Sequence, residues 1–192
     1  MKKQARILLF ILSALLIAVY FLPIWEITLD APQYPEGLGF DIWINKMTGD
    51  LKTVNGLNHY IGMKTIEPDS IKELSLMPYL LALLIAGGII TAMLNNKLML
   101  YLWSGIFVLF GIAGAVDFYI WEYDYGHNLN SMAAIKVPGM TYQPPLIGSK
   151  ELLNFTAYSY PSTGGYILIF AGLISVLLVF YEFKFNKVIK SV

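Results

Sequence analysis

The fold is decided by two apolar runs, MPYLLALLIAGGIITAML at residues 77–94 and LMLYLWSGIFVLFGIAGAV at residues 98–116. Neither run contains a charged residue, and only Asn-Asn-Lys at residues 95–97 separates them. At about 1.5 Å of rise per residue, each run forms a helix of roughly 27–29 Å, close to the thickness of a bilayer's hydrocarbon core. The sequence therefore predicts two antiparallel transmembrane helices joined by a short turn.

Two further runs of the same kind lie near the ends of the chain, at residues 7–25 and 164–181. The first follows a basic segment, residues 1–6, as a signal sequence would, but it ends in YFLPIW without a small-x-small cleavage site. An uncleaved anchor is therefore expected. The predicted fold is an all-α membrane protein, a four-transmembrane-helix bundle, in which small residues such as Gly88 and Gly111 allow close helix contacts.

The composition excludes several classes of protein. Hydrophobic residues make up 57% of the chain and charged residues 14%, whereas soluble domains carry about 25% charged residues. No cysteine is present, which excludes disulfides, thiolate catalysis and iron–sulfur clusters. Lys plus Arg and Asp plus Glu both total 13, so no basic field attracts nucleic acid.

Charge is divided unevenly between the two ends of the expected bundle. Residues 1–6, 95–97 and the tail 182–192 share one side, with seven basic residues and one acid. The other side, residues 26–76 and 117–163, holds six lysines and twelve acids. Because cytoplasmic segments carry the excess of Lys and Arg, both termini are expected in the cytoplasm of an inner-membrane protein, with the two long loops in the periplasm.

Both loops are too long and too aromatic for plain connectors, and together they are expected to form a small mixed α/β cap on the bundle. In the first loop, residues 40–46 alternate in part like a half-buried strand. A turn at residues 48–50 follows, and residues 51–54 are predicted to return as a strand. Residues 70–73, Ser-Ile-Lys-Glu, fit a capping box that starts a helix running into the second span.

The second loop is expected to continue the third helix past the membrane. Such a continuation places Asp117, Trp121, Asp124 and His127 near one helical face. Aromatic residues alternate along the same stretch and fit an interfacial belt. They are Tyr119, Trp121, Tyr123 and Tyr125.

His and Met residues of the outer loops are the first candidate metal ligands. His59 and Met63 are spaced i, i+4, so a local helix places both on one face. His127 and Met140 are the candidates to complete such a site from the second loop. Imidazole binds either oxidation state of copper, and a thioether selects Cu(I), so this set favours copper. The alternative is that the methionines fill gaps beneath the cap.

The acidic cluster of the second loop is the other candidate site. Asp117 and Asp124 beside His127 offer ligands for a harder metal or Cu(II), or play a buried structural role. Glu122 is expected to belong to a solvated acidic rim. No Gly-x-Ser-x-Gly motif, dinucleotide fingerprint or phosphate-binding glycine loop is present.

The outer loops also resemble a known family. The stretches APQYPEGL at 31–38, GLNHYIGM at 56–63 and YQPPLIG at 142–148, with Ser-Tyr-Pro at 159–161, are similar to those of small four-span membrane proteins. Members of that family are encoded beside nitrous oxide reductase and its copper-delivery and maturation proteins. The resemblance implies a setting, copper-enzyme maturation or its electron supply, and not a reaction.

Three functions fit these features. The first is a non-enzymatic accessory protein that binds copper or docks a periplasmic copper protein or a nitrous oxide reductase maturation protein. The second is a purely structural subunit of a membrane complex, without a metal. The third is a redox or metal-dependent enzyme subunit with a site at the outer surface, built on Asp117, Asp124 and His127.

Overall fold

The computed structural model describes the backbone of residues 1–190 and the side chains of residues 1–184, so residues 191 and 192 of the predicted tail lie outside the described residues. Four helices in it are long and apolar enough to cross a membrane, as predicted. The first comprises α1, Lys3–Leu15, and a 3-10 continuation, Leu16–Phe21. The other three candidate spans are α3 (Lys72–Leu94), α4 (Lys97–His127) and α5 (Thr163–Lys190).

The first helix ends earlier than the apolar run. It stops at Phe21, and Trp25 already belongs to a strand. Pro23 explains the difference, because proline cannot donate a backbone hydrogen bond and forces the preceding residue toward an extended conformation. Leu22 is extended accordingly, with φ −133° and ψ 141°.

Helix α4 is much longer than a membrane span requires. Its 31 residues extend about 46 Å, whereas a hydrocarbon core is about 30 Å thick. The segment from Asp117 to His127 therefore projects beyond the predicted span, which confirms the expected continuation. This projecting end reaches into the cap.

The cap contains one antiparallel sheet built from both loops. Its strands are β1 (Trp25–Ala31), β2 (Tyr34–Ile42), β3 (Met47–Gly49), β4 (Gly148–Leu152) and β5 (Phe155–Pro161). The order is β3-β2-β1-β5-β4, so β1 pairs on one side with its own loop and on the other with the second loop. The two loops therefore form a single cap.

The predicted strand at residues 51–54 is wrong, because those residues begin a helix. Helix α2 runs from Leu51 to Ile61 and buries Val54, Asn58 and Ile61. That spacing of three and four residues is helical, but it becomes visible only in a window longer than four residues. The helix ends at Gly62, whose φ of 85° is the left-handed conformation that glycine adopts without strain.

The helix into the second span is present, but the predicted capping box is not. Helix α3 begins at Lys72 after an extended Ile71, with no side-chain cap. The Ser70 hydroxyl instead donates to the Glu67 carbonyl at 2.7 Å, within a short 3-10 turn at Pro68–Ser70. That hydrogen bond takes the hydroxyl away from the start of α3.

Small residues bring the helices together at α3 but not at α4. A Cβ on Gly88 would lie 2.9 Å from the Trp103 ring and would also meet the Ser13 hydroxyl. Trp103 is held there by a 2.8 Å hydrogen bond from its indole nitrogen to the Leu84 carbonyl. Gly111 has open space around it, so the close contact predicted for that position is absent.

At the end of the bundle opposite the cap, one buried acid connects three parts of the chain. Glu182 is fully buried and pairs with the Lys97 ammonium at 3.0 Å. The backbone N–H of Lys2 donates to the same carboxylate at 2.5 Å. The N-terminus, the α3–α4 turn and α5 therefore meet at this point.

Candidate functional site: a buried carboxyl in the cap

A small apolar cavity lies inside the cap, between the sheet, α2 and the projecting end of α4. Its volume is about 50 Å³. The sheet contributes Phe40 and Ala157, α2 contributes Val54, and α4 contributes Trp121 and Glu122. The only acidic side chain among the lining residues, all of which belong to the described part of the chain, is Glu122.

Helix α4 directs Glu122 into the cap because one face of its last turns is covered. Gly126 lies one turn beyond Glu122, and a Cβ at that position would run into the backbone of Gln143. The Tyr142 N–H donates to the Gly126 carbonyl at 3.0 Å. The returning segment around Tyr142 therefore packs directly on the Glu122 face of the helix and closes it to solvent.

Glu122 is fully buried, and neither of its carboxylate oxygens has a hydrogen-bond partner among the described residues. Burial raises the pKa of this carboxyl from 4.5 to about 8, because a charge in an apolar site loses its hydration. At pH 7 the group is therefore mainly protonated. The expectation that Glu122 belongs to a solvated rim is wrong, since the segment that covers it comes from a distant part of the loop.

Tyr142 is a second buried polar side chain beside the same cavity. It is 2% exposed, and its hydroxyl has no partner among the described residues. Most buried polar side-chain atoms in folded proteins have at least one hydrogen-bond partner. The indole nitrogen of Trp121 also lacks a partner, and three such groups around one cavity make it the strongest candidate site in the cap.

The predicted aromatic belt divides between the two faces of α4. Trp121 and Tyr125 line the cavity, with ring centroids 4.4 Å apart. Tyr119 and Tyr123 are 47% and 48% exposed on the other side. Of these four residues, only Tyr119 and Tyr123 are free to contact a lipid interface. Trp121 and Tyr125 belong to the core of the cap.

His59 and Met63 do not share a helical face. His59 is exposed near the end of α2, where its ring packs edge-on against Tyr60 at 6.2 Å. Helix α2 ends at Ile61, so Met63 follows the left-handed Gly62 and lines the cavity instead. The helix stop therefore overturns the i, i+4 argument for a paired site.

His127 and Met140 lie elsewhere in the second loop. His127 is the last residue of α4; its ring stacks on Tyr123 at 3.9 Å, and its Nδ1 lies 3.0 Å from the Tyr123 carbonyl. Met140 is half-buried in the irregular segment that follows, with its N–H bonded to the Val137 carbonyl. Neither residue lines the cavity.

The two aspartates have separate surroundings. Asp124 pairs with Lys64 at 2.5 Å and also accepts from Asn128; hydrogen bonding to Lys64 is the main reason that the pKa of Asp124 is lowered. Asp117 is exposed, and partial desolvation together with the nearby charge of Glu73 raises its pKa. Among the side chains of residues 1–184, no group of three or more His, Asp or Glu residues is placed to hold a metal ion.

Comparisons with protein-family models, with curated proteins and with solved structures find no match for this chain. The setting beside nitrous oxide reductase therefore stays a prediction from the sequence resemblance.

Proposed function

We propose that the chain is a non-enzymatic accessory protein of the cytoplasmic membrane that presents its cap to the periplasm. There it supports maturation of a copper enzyme, nitrous oxide reductase, by docking a maturation protein or by binding copper. The observation that carries the proposal is the joining of both outer loops into one sheet, with β1 between β2 and β5. Connecting loops alone do not need a shared sheet and a buried core.

The charge distribution supports the proposed orientation. The end of the bundle opposite the cap carries Lys2, Lys3, Arg6 and Lys97, whereas the cap side holds twelve acids. Positive charge is retained on the cytoplasmic side of multi-pass proteins. This charge bias supports a periplasmic cap.

Exposed apolar side chains at one edge of the cap support docking. Met132 is 85% exposed, Tyr60 is 57% exposed and Ile135 is 47% exposed. The Ile135 N–H donates to the Tyr60 carbonyl at 2.9 Å, so the end of α2 and the second loop meet there. Clustered apolar side chains on a soluble surface are typical of interaction sites.

Copper binding is the second route. Met63 supplies a thioether at the wall of the cavity, and a thioether favours Cu(I). His59, His127 and Met140 lie outside the cavity, so the four proposed ligands do not converge there. An enzyme site on Asp117, Asp124 and His127 has less support, because Asp124 pairs with Lys64 and the His127 ring stacks on Tyr123.

One purification experiment distinguishes docking from copper binding. The tagged chain is extracted gently from cells that assemble nitrous oxide reductase, and bound proteins and metals are measured. Docking predicts a co-purifying maturation protein that is lost in Met132→Asp and kept in the surface control Glu151→Gln. Copper binding predicts bound copper that falls in Met63→Ala. A lone, metal-free chain would contradict both routes.

A further inference from the structure

We propose that the cavity in the cap binds a small primary ammonium ion of the methylammonium class, held by Glu122 and Tyr142 between aromatic walls. This site shares its cavity with Met63 of the copper route, but it requires neither copper nor a docked partner. It rests on the cavity, on two buried oxygen-bearing groups without partners, Glu122 and Tyr142, and on the residues around them.

The hydrogen-bonding capacity of the site matches such a ligand. Both oxygens of Glu122 and the hydroxyl of Tyr142 lack partners, and both residues line the same cavity. A primary ammonium group that replaces the proton of Glu122 has three N–H donors for these three oxygen atoms; the unpartnered indole N–H of Trp121 is a donor and takes no part in holding it. A neutral ligand with a single N–H or O–H donor would leave at least one carboxyl oxygen without a partner.

The walls of the cavity favour a cation. Phe40, Trp121, Tyr125 and Phe155 line it, and aromatic ring faces attract desolvated organic cations. No lysine or arginine is among the lining residues, all of which are described, so the chain supplies no cation of its own. The titratable groups that line the cavity are Glu122 and the phenols of Tyr125 and Tyr142.

The size of the cavity limits the ligand. A volume of about 50 Å³ is a third of the roughly 150 Å³ that accommodates benzene. Ammonium and methylammonium are small enough, whereas larger amines are not. So few atoms give weak binding, in the millimolar range.

The binding test uses the full-length chain in detergent micelles, with its methionines labelled with ¹³C at the methyl group. Methylammonium chloride is added at constant ionic strength, and the methyl signals are followed by NMR. We expect a saturable shift of the Met63 signal, which lines the cavity, and none of Met132, which is 85% exposed. Met63→Leu assigns the signal.

Variants separate the proposed ligand from other occupants. Glu122→Gln is expected to weaken binding at least tenfold, while the exposed control Glu151→Gln leaves it unchanged. Ala157→Val narrows the cavity without changing its charge and is expected to weaken binding too. The methyl spectrum of each variant reports whether the cap is folded.

Three results would overturn the proposal. The first is a folded wild-type chain without a saturable Met63 shift, which means that the cavity holds water only. The second is equal methylammonium binding by Glu122→Gln. The third is an equal response to formamide, a neutral molecule of similar size, which would show that the site selects a hydrogen bond and not a charge.

Discussion

Among single residues, Glu122 has the most unusual surroundings. A buried carboxyl without a partner is costly to ionise, so the fold keeps it mainly as the neutral acid. Its burial depends on Tyr142, whose segment crosses Gly126 one turn further along α4. Local sequence predicts an exposed acid at this position, because Glu122 lies between Asp117 and Asp124 in a loop where acids are in excess. The covering segment becomes visible only in three dimensions.

The pKa of Glu122 predicts a pH-dependent stability of the cap. Between about pH 4.5 and pH 8 the folded chain keeps a proton that the unfolded chain releases. The free energy of unfolding therefore falls as pH rises through this window, by at most about 1.4 kcal/mol per pH unit. Glu122→Gln removes this contribution, so its thermal midpoint should decline less steeply. Tryptophan fluorescence of the detergent-solubilised chain, heated at several pH values, measures the midpoint.

Glu151→Gln is the control for that series, because Glu151 is exposed on β4. It should reproduce the pH dependence of the wild-type chain. Identical slopes for the wild type and Glu122→Gln would show that Glu122 does not titrate between these pH values.

The ion pair between Lys64 and Asp124 should contribute little. Both side chains are partly exposed, at 50% and 39%, and exposed pairs typically contribute less than about 1 kcal/mol. Lys64→Ala is therefore expected to lower the free energy of unfolding by less than that amount. The pKa of Asp124 should rise in this variant, because its main stabilising hydrogen bond is lost. NMR titration of the carboxyl carbon checks the shift; an unchanged pKa would argue against the pair.

At the scale of elements, the sequence predicts the spans well and the cap poorly. Runs of 18 or 19 uncharged residues determine a helix in lipid regardless of their neighbours. The sequence does not predict strand β1, which pairs with the adjacent β2 and also with β5, more than a hundred residues away, where Trp25 pairs with Pro161. The sequence predicts a strand at the start of helix α2, because the first four residues alone are too few to show a helical repeat of apolar side chains.

Packing between α1, α3 and α4 gives a prediction with a matched control. Gly88→Ala would push a methyl group against Trp103 and Ser13 and should cost roughly 1–3 kcal/mol by overpacking. Gly111→Ala meets open space and should be neutral or stabilising by up to about 1 kcal/mol, because alanine favours helix. Thermal midpoints in detergent compare the two variants. A Gly88→Ala chain as stable as Gly111→Ala would mean that the three helices are less closely packed than described.

Considered as a whole, the molecule has two ends of opposite character. One end joins the N-terminus, the α3–α4 turn and α5 around Glu182 and carries most of its charge as lysine and arginine. The other end is an acid-rich cap with its own buried core, centred on Ile27, Phe40 and Val54. This division was predictable because it depends on the sum of charges in each segment. The cavity was not, because it depends on contacts between the two loops.

The orientation of these two ends in the membrane is the central claim, and cysteine labelling tests it most directly. The chain has no cysteine, so Asn154→Cys in the cap and Asn96→Cys in the α3–α4 turn each supply a single exposed thiol. Intact spheroplasts are treated with a membrane-impermeant maleimide, and labelling is compared before and after permeabilisation. If the cap faces the periplasm, Asn154→Cys is labelled in intact spheroplasts and Asn96→Cys only after permeabilisation. The reverse pattern would place the cap in the cytoplasm and contradict the account.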